Sequence, residues 1–333
     1  MALWFNPLAR RVTASVISAF REALPGARVI LSATVEDARR EAEKLVARPP
    51  ALLFCGGGDG TIVVLLNALR DAGARRLPTV GLLRLGTGNG WPRATNAPEW
   101  KQSVRRIGRV PVTAPTQPFQ LVEIQGRLCH FAGAGWDATV LHDYAQNLAQ
   151  QSARGRGGWW ERLHKGVWGY LYATALVTVP EELRRYRDGR VKLTFENLGE
   201  PAWGIGKGGR PEPSVDEPGG KLFQGALSVA AVGSEPYWGA GFRAFPYALS
   251  MPGKINVRIY DRHVLEGVGR AAQLWRGGMD VPGMRDWFVT RGRFTFSQAV
   301  PWQVGGDVMP PEASLDFGVA DQILQLLRWD LVD

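Results

Sequence analysis

The sequence predicts an α/β domain, built on a parallel sheet with helices on both faces, followed by a β-rich, sandwich-like domain. Three observations predict it. Apolar runs alternate with amphipathic helical stretches over the first hundred-odd residues, and two of those runs end in glycine turns. From about residue 116 the chain changes to strand-like segments rich in β-branched and aromatic residues, bounded by Gly and Pro. Strands alternating with helices imply a parallel sheet covered on both faces; short strands between turn residues imply a β-rich fold.

The elements follow in order. "ALWF" reads as a strand, "LARRVTASVISAFREAL" as a helix and "ARVILSA" as a second strand. "VEDARREAEKLVAR" has charges on one side and Ala, Leu and Val on the other, which is helical patterning. Then come the strand "ALLFC", a glycine turn, the helix "TIVVLLNALRDAG", and the strand "TVGLLRL" ending in "GTGNG". These make a first domain over 1–115, with the tail 311–333 expected to return to it. A second domain over 116–310 holds "FQLVEIQGRLCHFAGAG", "RVKLTFENLGEPAWGIG", "ALSVAAVG", "INVRIYD" and "RGRFTFSQ", with a helical insertion over about 138–188. Residues 204–225 read as a Gly/Pro-rich loop.

Composition narrows the function classes. The chain has 333 residues, with 45% hydrophobic and 21% charged residues, which excludes a disordered chain. A net charge of +9 suits an anionic partner such as a nucleotide or an anionic membrane face. Cys55 and Cys129 lie in apolar stretches without metal-ligand spacing, and His130, His142, His164 and His263 form no HxxxH pattern, nor the cysteines a CxxC, so neither a disulfide nor a zinc site is expected. No apolar run reaches the ~18 residues that span a bilayer, and the N-terminus lacks a signal-peptide pattern. The expectation is a cytoplasmic protein, free or lying on a membrane surface. No nucleic-acid module is recognisable, so nucleic acid is not expected as a partner.

The glycine turns carry the chemistry. Gly56-Gly57-Gly58-Asp59-Gly60-Thr61 and Gly86-Thr87-Gly88-Asn89-Gly90 each follow a strand of the first domain, where an open parallel sheet binds ligands. Successive backbone N–H groups make an anion-binding nest, and a following helix adds its positive end. Asp59 beside a phosphate makes sense with Mg²⁺ or as a hydrogen-bond organiser, and Thr61 as a helix cap or a donor to phosphate. Two glycine patterns elsewhere are weak: "GAGWDA" does not open the first βα unit, and "GIGKGG" lacks the Ser/Thr of a P-loop.

"GGGDGT" at the end of the third strand, with "LGTGN" at the end of the fourth, resembles the catalytic domain shared by diacylglycerol kinases, sphingosine kinases and related bacterial lipid kinases. Asn6-Pro7, Thr34, Ala38, Asn67, "AGAGWDATV", "YWGAG" with Pro246 and Ala248, and the closing "PWQVGGD" agree with that family in order. The resemblance implies an ATP- and Mg²⁺-dependent lipid kinase with its ATP cleft between an α/β domain and a β-sandwich. It implies nucleotide contacts at Asn6, Thr34, Gly57, Gly58, Asp59, Gly60, Thr61, Gly86, Thr87 and Asn89. Asp307, in the place of the family's closing glutamate, would be the general base on the lipid hydroxyl, and Asp59 the other catalytic acid.

The chain also departs from the family's pattern. Arg84 stands for a proline, Gly90 for an aspartate and Val64 for a glutamate. Pro252-Gly253 replaces an Asp-Gly pair that holds magnesium in some members, so that site is expected to be absent. Two other readings stay open: a member that binds nucleotide or lipid without turnover, and a kinase for a dinucleotide such as NAD. The stretch 151–177 mixes Arg154, Arg156, Arg162 and Lys165 with Trp159, Trp160 and Trp168, which suits either an anionic membrane interface or ordinary packing on the β domain. Which lipid is used is not legible, nor is the oligomeric state, a homodimer being among the options.

Overall fold

The computed structural model describes the chain apart from residues 87–88, 137, 140–189, 207, 215–219, 239–241, 264–265, 268–269, 271–272, 274–280 and 333. The stretch 151–177, Thr87 and nearly all of the expected insertion over 138–188 lie outside the described residues. The chain divides into two compact units: Met1–His130 with Glu235–Arg243 and Ala320–Asp333, and Phe131–Ser234 with Ala244–Val319.

In the first unit, β1 (Ala2–Phe5) pairs in parallel with β2 (Arg28–Leu31) on one side and β3 (Leu52–Gly57) on the other. β4 (Thr79–Arg84) continues in parallel beside β3. β1 and β3 are buried along their whole length, as strands covered on both faces must be. The order β2-β1-β3-β4 reverses direction between β1 and β3, because the crossover from β1 goes to one edge and that from β3 to the other. Such a switch point opens a crevice at the carboxyl ends of the strands.

The helices are set by their caps. α1 (Ala14–Ala23) starts at Ala14 and not near Leu8, since Thr13 caps it by accepting from the Val16 amide, while the Asn6 side chain holds the Leu8 amide in a turn. α2 (Val35–Ala47) opens with a reciprocal capping box between Thr34 and Asp37. α3 (Asp59–Asp71) follows the first glycine turn, and α4 (Gly90–Ala94) follows the second. α5 (Trp100–Ile107) leads to a hairpin of β5 (Thr116–Ile124) and β6 (Arg127–Cys129), turned by Gln125 and Gly126, both with positive φ. The C-terminal tail completes this unit: Leu326 pairs in parallel with Val80, and buried Trp329 donates from its indole to the Leu82 carbonyl against the ring of Phe54. Cys55 is free and buried, and burial pushes its thiol up to about 12.

The second unit is antiparallel. β7 (Phe131–Gly135), β12 (Val229–Gly233), β13 (Ile255–Tyr260) and β14 (Met284–Val289) lie side by side. Between β7 and β12 in the chain come β8 (Lys192–Asn197), β9 (Trp203–Ile205), β10 (Pro211–Pro213) and β11 (Lys221–Ala226). β15 (Arg291–Val304) bends at irregularities between Thr295 and Trp302, so its first half pairs with β8 and its second with β7. Phe195 on β8 and Phe223 on β11 meet Trp287 on β14 edge-on, at 5.6 and 6.3 Å between ring centroids, so the two sets of strands face each other over an aromatic core. β16 (Asp307–Leu327) pairs along β15 and continues into the first unit as the tail.

The expected loop over 204–225 is corrected: its described residues include an antiparallel β9–β10 hairpin and β11. Pro211 and Pro213 lack the N–H a central strand needs, but suit β10, which pairs only with β9 among the described residues. Within the unit, Arg258 and Asp286 form a buried ion pair at 3.3 Å, with Asn256 donating to Asp286 and Arg258 to the Ala244 carbonyl. Among the described residues no helix is long and apolar enough to cross a membrane.

Candidate functional site

The carboxyl ends of β1, β3 and β4 bring together most of the expected residues of the first unit. Asn6 follows β1, and its amide donates to the Thr61 hydroxyl at 3.3 Å, tying the first strand to the start of α3. Thr61 in turn donates its backbone N–H to the Gly58 carbonyl. Gly58 is the N-cap of α3 and has no side chain to offer, so no side chain caps that helix.

The two glycine turns touch backbone to backbone. A Cβ on Gly86 would lie 2.3 Å from the Gly58 Cα and 2.9 Å from the Gly57 carbonyl oxygen. A Cβ on Gly57 would fall on the Thr61 side chain, and one on Gly56 on the Phe5 ring. The glycines are thus required by close approach, not by unusual φ. Asn89, one of three described non-glycine residues with positive φ (48°), closes the second turn by accepting from the Gly86 amide and donating to the Gly86 carbonyl.

Asp59 joins the turns. Its two carboxylate oxygens accept the backbone N–H groups of Gly90 and Trp91, each at 3.1 Å, so it holds the start of α4. Burial raises its pKa, against those two amides and the charge of Arg93. Gly90, where the resemblance has an aspartate, here supplies an amide to Asp59. Arg84, in place of a proline, is paired with Glu99 at 2.9 Å. Val64 packs against the core of the unit. Asn67 holds both the amide and the carbonyl of Leu128, clamping α3 to β6. Trp91 is buried against His130, with ring centroids 4.5 Å apart, and burial pushes that imidazole down to about 3.

Sequence reasoning missed Glu235. It belongs to the same unit as Asp59 and is 0% exposed, with neither carboxylate oxygen hydrogen-bonded. Burial first, and then the negative charge of Asp59, hold its pKa well above the carboxylate range; the Tyr237 amide acts the other way without reaching hydrogen-bond geometry. The available signal was an acid inside the glycine- and aromatic-rich stretch "VGSEPYWGAG". Two carboxylates with unused lone pairs suit a hard divalent cation, which takes oxygen ligands.

The remaining candidates lie elsewhere. Thr34 is exposed, with its hydroxyl accepting from the Asp37 amide as the cap of α2. Gly60 sits in the first turn of α3. Asp307 belongs to the second unit, exposed at the corner of the β15–β16 hairpin, where it pairs with Val304 across Gly305 and Gly306. Both of these glycines have positive φ, as a two-residue hairpin turn requires. Pro252-Gly253 forms a tight turn closed by the Lys254 amide on the Met251 carbonyl, with Gly253 at φ 81°, so turn geometry accounts for both residues.

Residues 6–123 match the family model of the diacylglycerol kinase catalytic domain. The matched segment is about a third of the chain. A protein of Pseudomonas aeruginosa named a probable lipid kinase, YegS-like, is 32% identical over 137 residues, 40% of this chain and 43% of that protein. The diacylglycerol kinase of Bacillus subtilis is 26% identical over 113 residues, 34% of this chain and 36% of the relative. The matching stretches thus cover less than half of these relatives' own lengths. A solved diacylglycerol kinase structure from Bacillus anthracis has a TM-score of 0.60 at 12% identity, covering 100% of this chain and 97% of that one, which shows the shared fold.

Two outcomes follow. Gly86→Ala forces the two turns apart and is expected to lower stability by about 3 kcal/mol, whereas Gly58→Ala, whose Cβ meets only the Gly86 Cα at an ordinary 3.6 Å, is expected to be far milder. Denaturant unfolding of both variants checks this; equal effects would contradict it. Glu235 binds a proton more tightly folded than unfolded, so its contribution to stability falls as pH rises from the ordinary glutamate range toward its folded pKa. In a chelating buffer, Glu235→Gln should therefore gain in Tm relative to the native chain as pH rises from about 5 to 8. A Tm difference that does not change with pH would refute the assignment.

Proposed function

We propose that the protein is an ATP-dependent lipid kinase that transfers the γ-phosphoryl group to the hydroxyl of a diacylglycerol-like or sphingoid-like lipid at a membrane surface. The observation that carries this reading is the contact of Gly86 with Gly58 inside the segment that matches the diacylglycerol kinase catalytic domain. It sets two glycine turns and an uncapped helix start at the carboxyl ends of the strands, a combination suited to phosphates.

In this reading Gly57, Gly58 and Gly60 offer backbone to the phosphates, with the positive end of α3 behind them. Thr61, held by Asn6, and Thr87 are hydroxyl donors, and Gly86 and Asn89 shape the second turn. Thr34 would contact the nucleotide through the hydroxyl that also caps α2. Bound Mg²⁺ would neutralise charge on the phosphates, with Asp59 among its ligands. Asp307 would accept the proton of the lipid hydroxyl, since phosphoryl transfer needs positioning and charge neutralisation more than covalent chemistry. A binding protein without turnover is the second reading, favoured by the absence of acids at Val64, Gly90 and Pro252.

The test is label transfer from ATP to a panel of micellar lipids. Transfer to one lipid, reduced by about 10²-fold or more in Asp59→Asn and in Asp307→Asn, is expected. Nucleotide binding without transfer to any lipid would overturn the kinase reading in favour of the second.

A further inference from the structure

We propose that Glu235 is, with Asp59, a ligand of the divalent cation that accompanies the nucleotide. The inference rests on the kinase reading and goes beyond it, since neither the motifs nor the match over 6–123 includes Glu235. Glu235 is wholly buried, and neither of its oxygens has a hydrogen bond. A buried carboxylate without a partner is costly, and a second carboxylate acting on it adds repulsion. A cation bound by both removes the two costs together.

The donor set fits. A carboxylate has about four lone-pair sites; the Asp59 oxygens accept one amide each, from Gly90 and Trp91, which leaves capacity for a metal. Mg²⁺ and Mn²⁺ are commonly held by one or two carboxylates, with water and substrate phosphate filling the other positions. Glu235 also offers a carboxylate to a unit that has Val64 and Gly90 where the resemblance expects acids.

Among the described residues no group of three or more His, Cys, Asp or Glu could hold a metal. Phosphate oxygens of a bound nucleotide would add to the two carboxylates, and metal and nucleotide would then strengthen each other reciprocally. Nucleotide affinity is measured by calorimetry in EDTA and in Mn²⁺, with the EPR signal of free Mn²⁺ recorded alongside.

The native chain should bind the nucleotide at least tenfold tighter with Mn²⁺, while Glu235→Gln keeps its metal-free affinity and loses most of that gain. Equal gains in the two proteins would overturn the inference and leave the kinase reading standing. A native chain that binds nucleotide with no gain from Mn²⁺ would also overturn it. Absence of nucleotide binding by the native chain would overturn the kinase reading itself, and the inference with it.

Discussion

The approach of Gly86 to Gly58 is the constraint on which the rest of the first unit depends. Two turns from neighbouring strands come so close that no Cβ fits on Gly86, and Asp59 locks the arrangement by taking the first amides of α4. The parallel pairing of β3 with β4, in register from Leu52 with Thr79 to Gly57 with Arg84, delivers both turns to one edge of the sheet. The strand order places that edge beside the switch point between β1 and β3, and the Asn6–Thr61 bond adds the end of β1. Sheet, helix starts and site are one piece of geometry.

Charge works against that geometry. Asp59 and Glu235 are both disfavoured as anions by burial, and Asp59 worsens the case of Glu235. Proteins retain such groups where a ligand completes them, because stability and function pull in opposite directions at binding sites. The chain's departures from the pattern it resembles find local explanations: Arg84 in its pair with Glu99, Val64 packed against the core, and Pro252-Gly253 in a turn. Each replaces a chemical role with a structural one.

Much of this was legible in the sequence. The apolar runs of β1 and β3 and the glycine turns after β3 and β4 announce a parallel sheet and its binding edge, because burial on both faces leaves an uninterrupted apolar signal. The start of α1 was misread, since the capping power of Thr13 and the hold of Asn6 on the Leu8 amide are weaker signals than helical periodicity. Thr34 carries a signature of its own: with Asp37 three residues on, it forms a capping box. The β9–β10 hairpin was hidden by prolines that only an edge strand tolerates. Glu235 is signalled only as an acid in a glycine- and aromatic-rich stretch, because its burial comes from a segment far away in sequence that joins the first unit in space.

The claim that the two glycine turns act as one nucleotide cradle is tested most directly by hydrogen exchange of the backbone amides with and without ATP. Slowed exchange in residues 56–61 and 85–91 together, with little change at the remote ends of β1 and β3, is the result this account predicts. Protection confined to one of the two turns, or absent from both while ATP is bound, would contradict it.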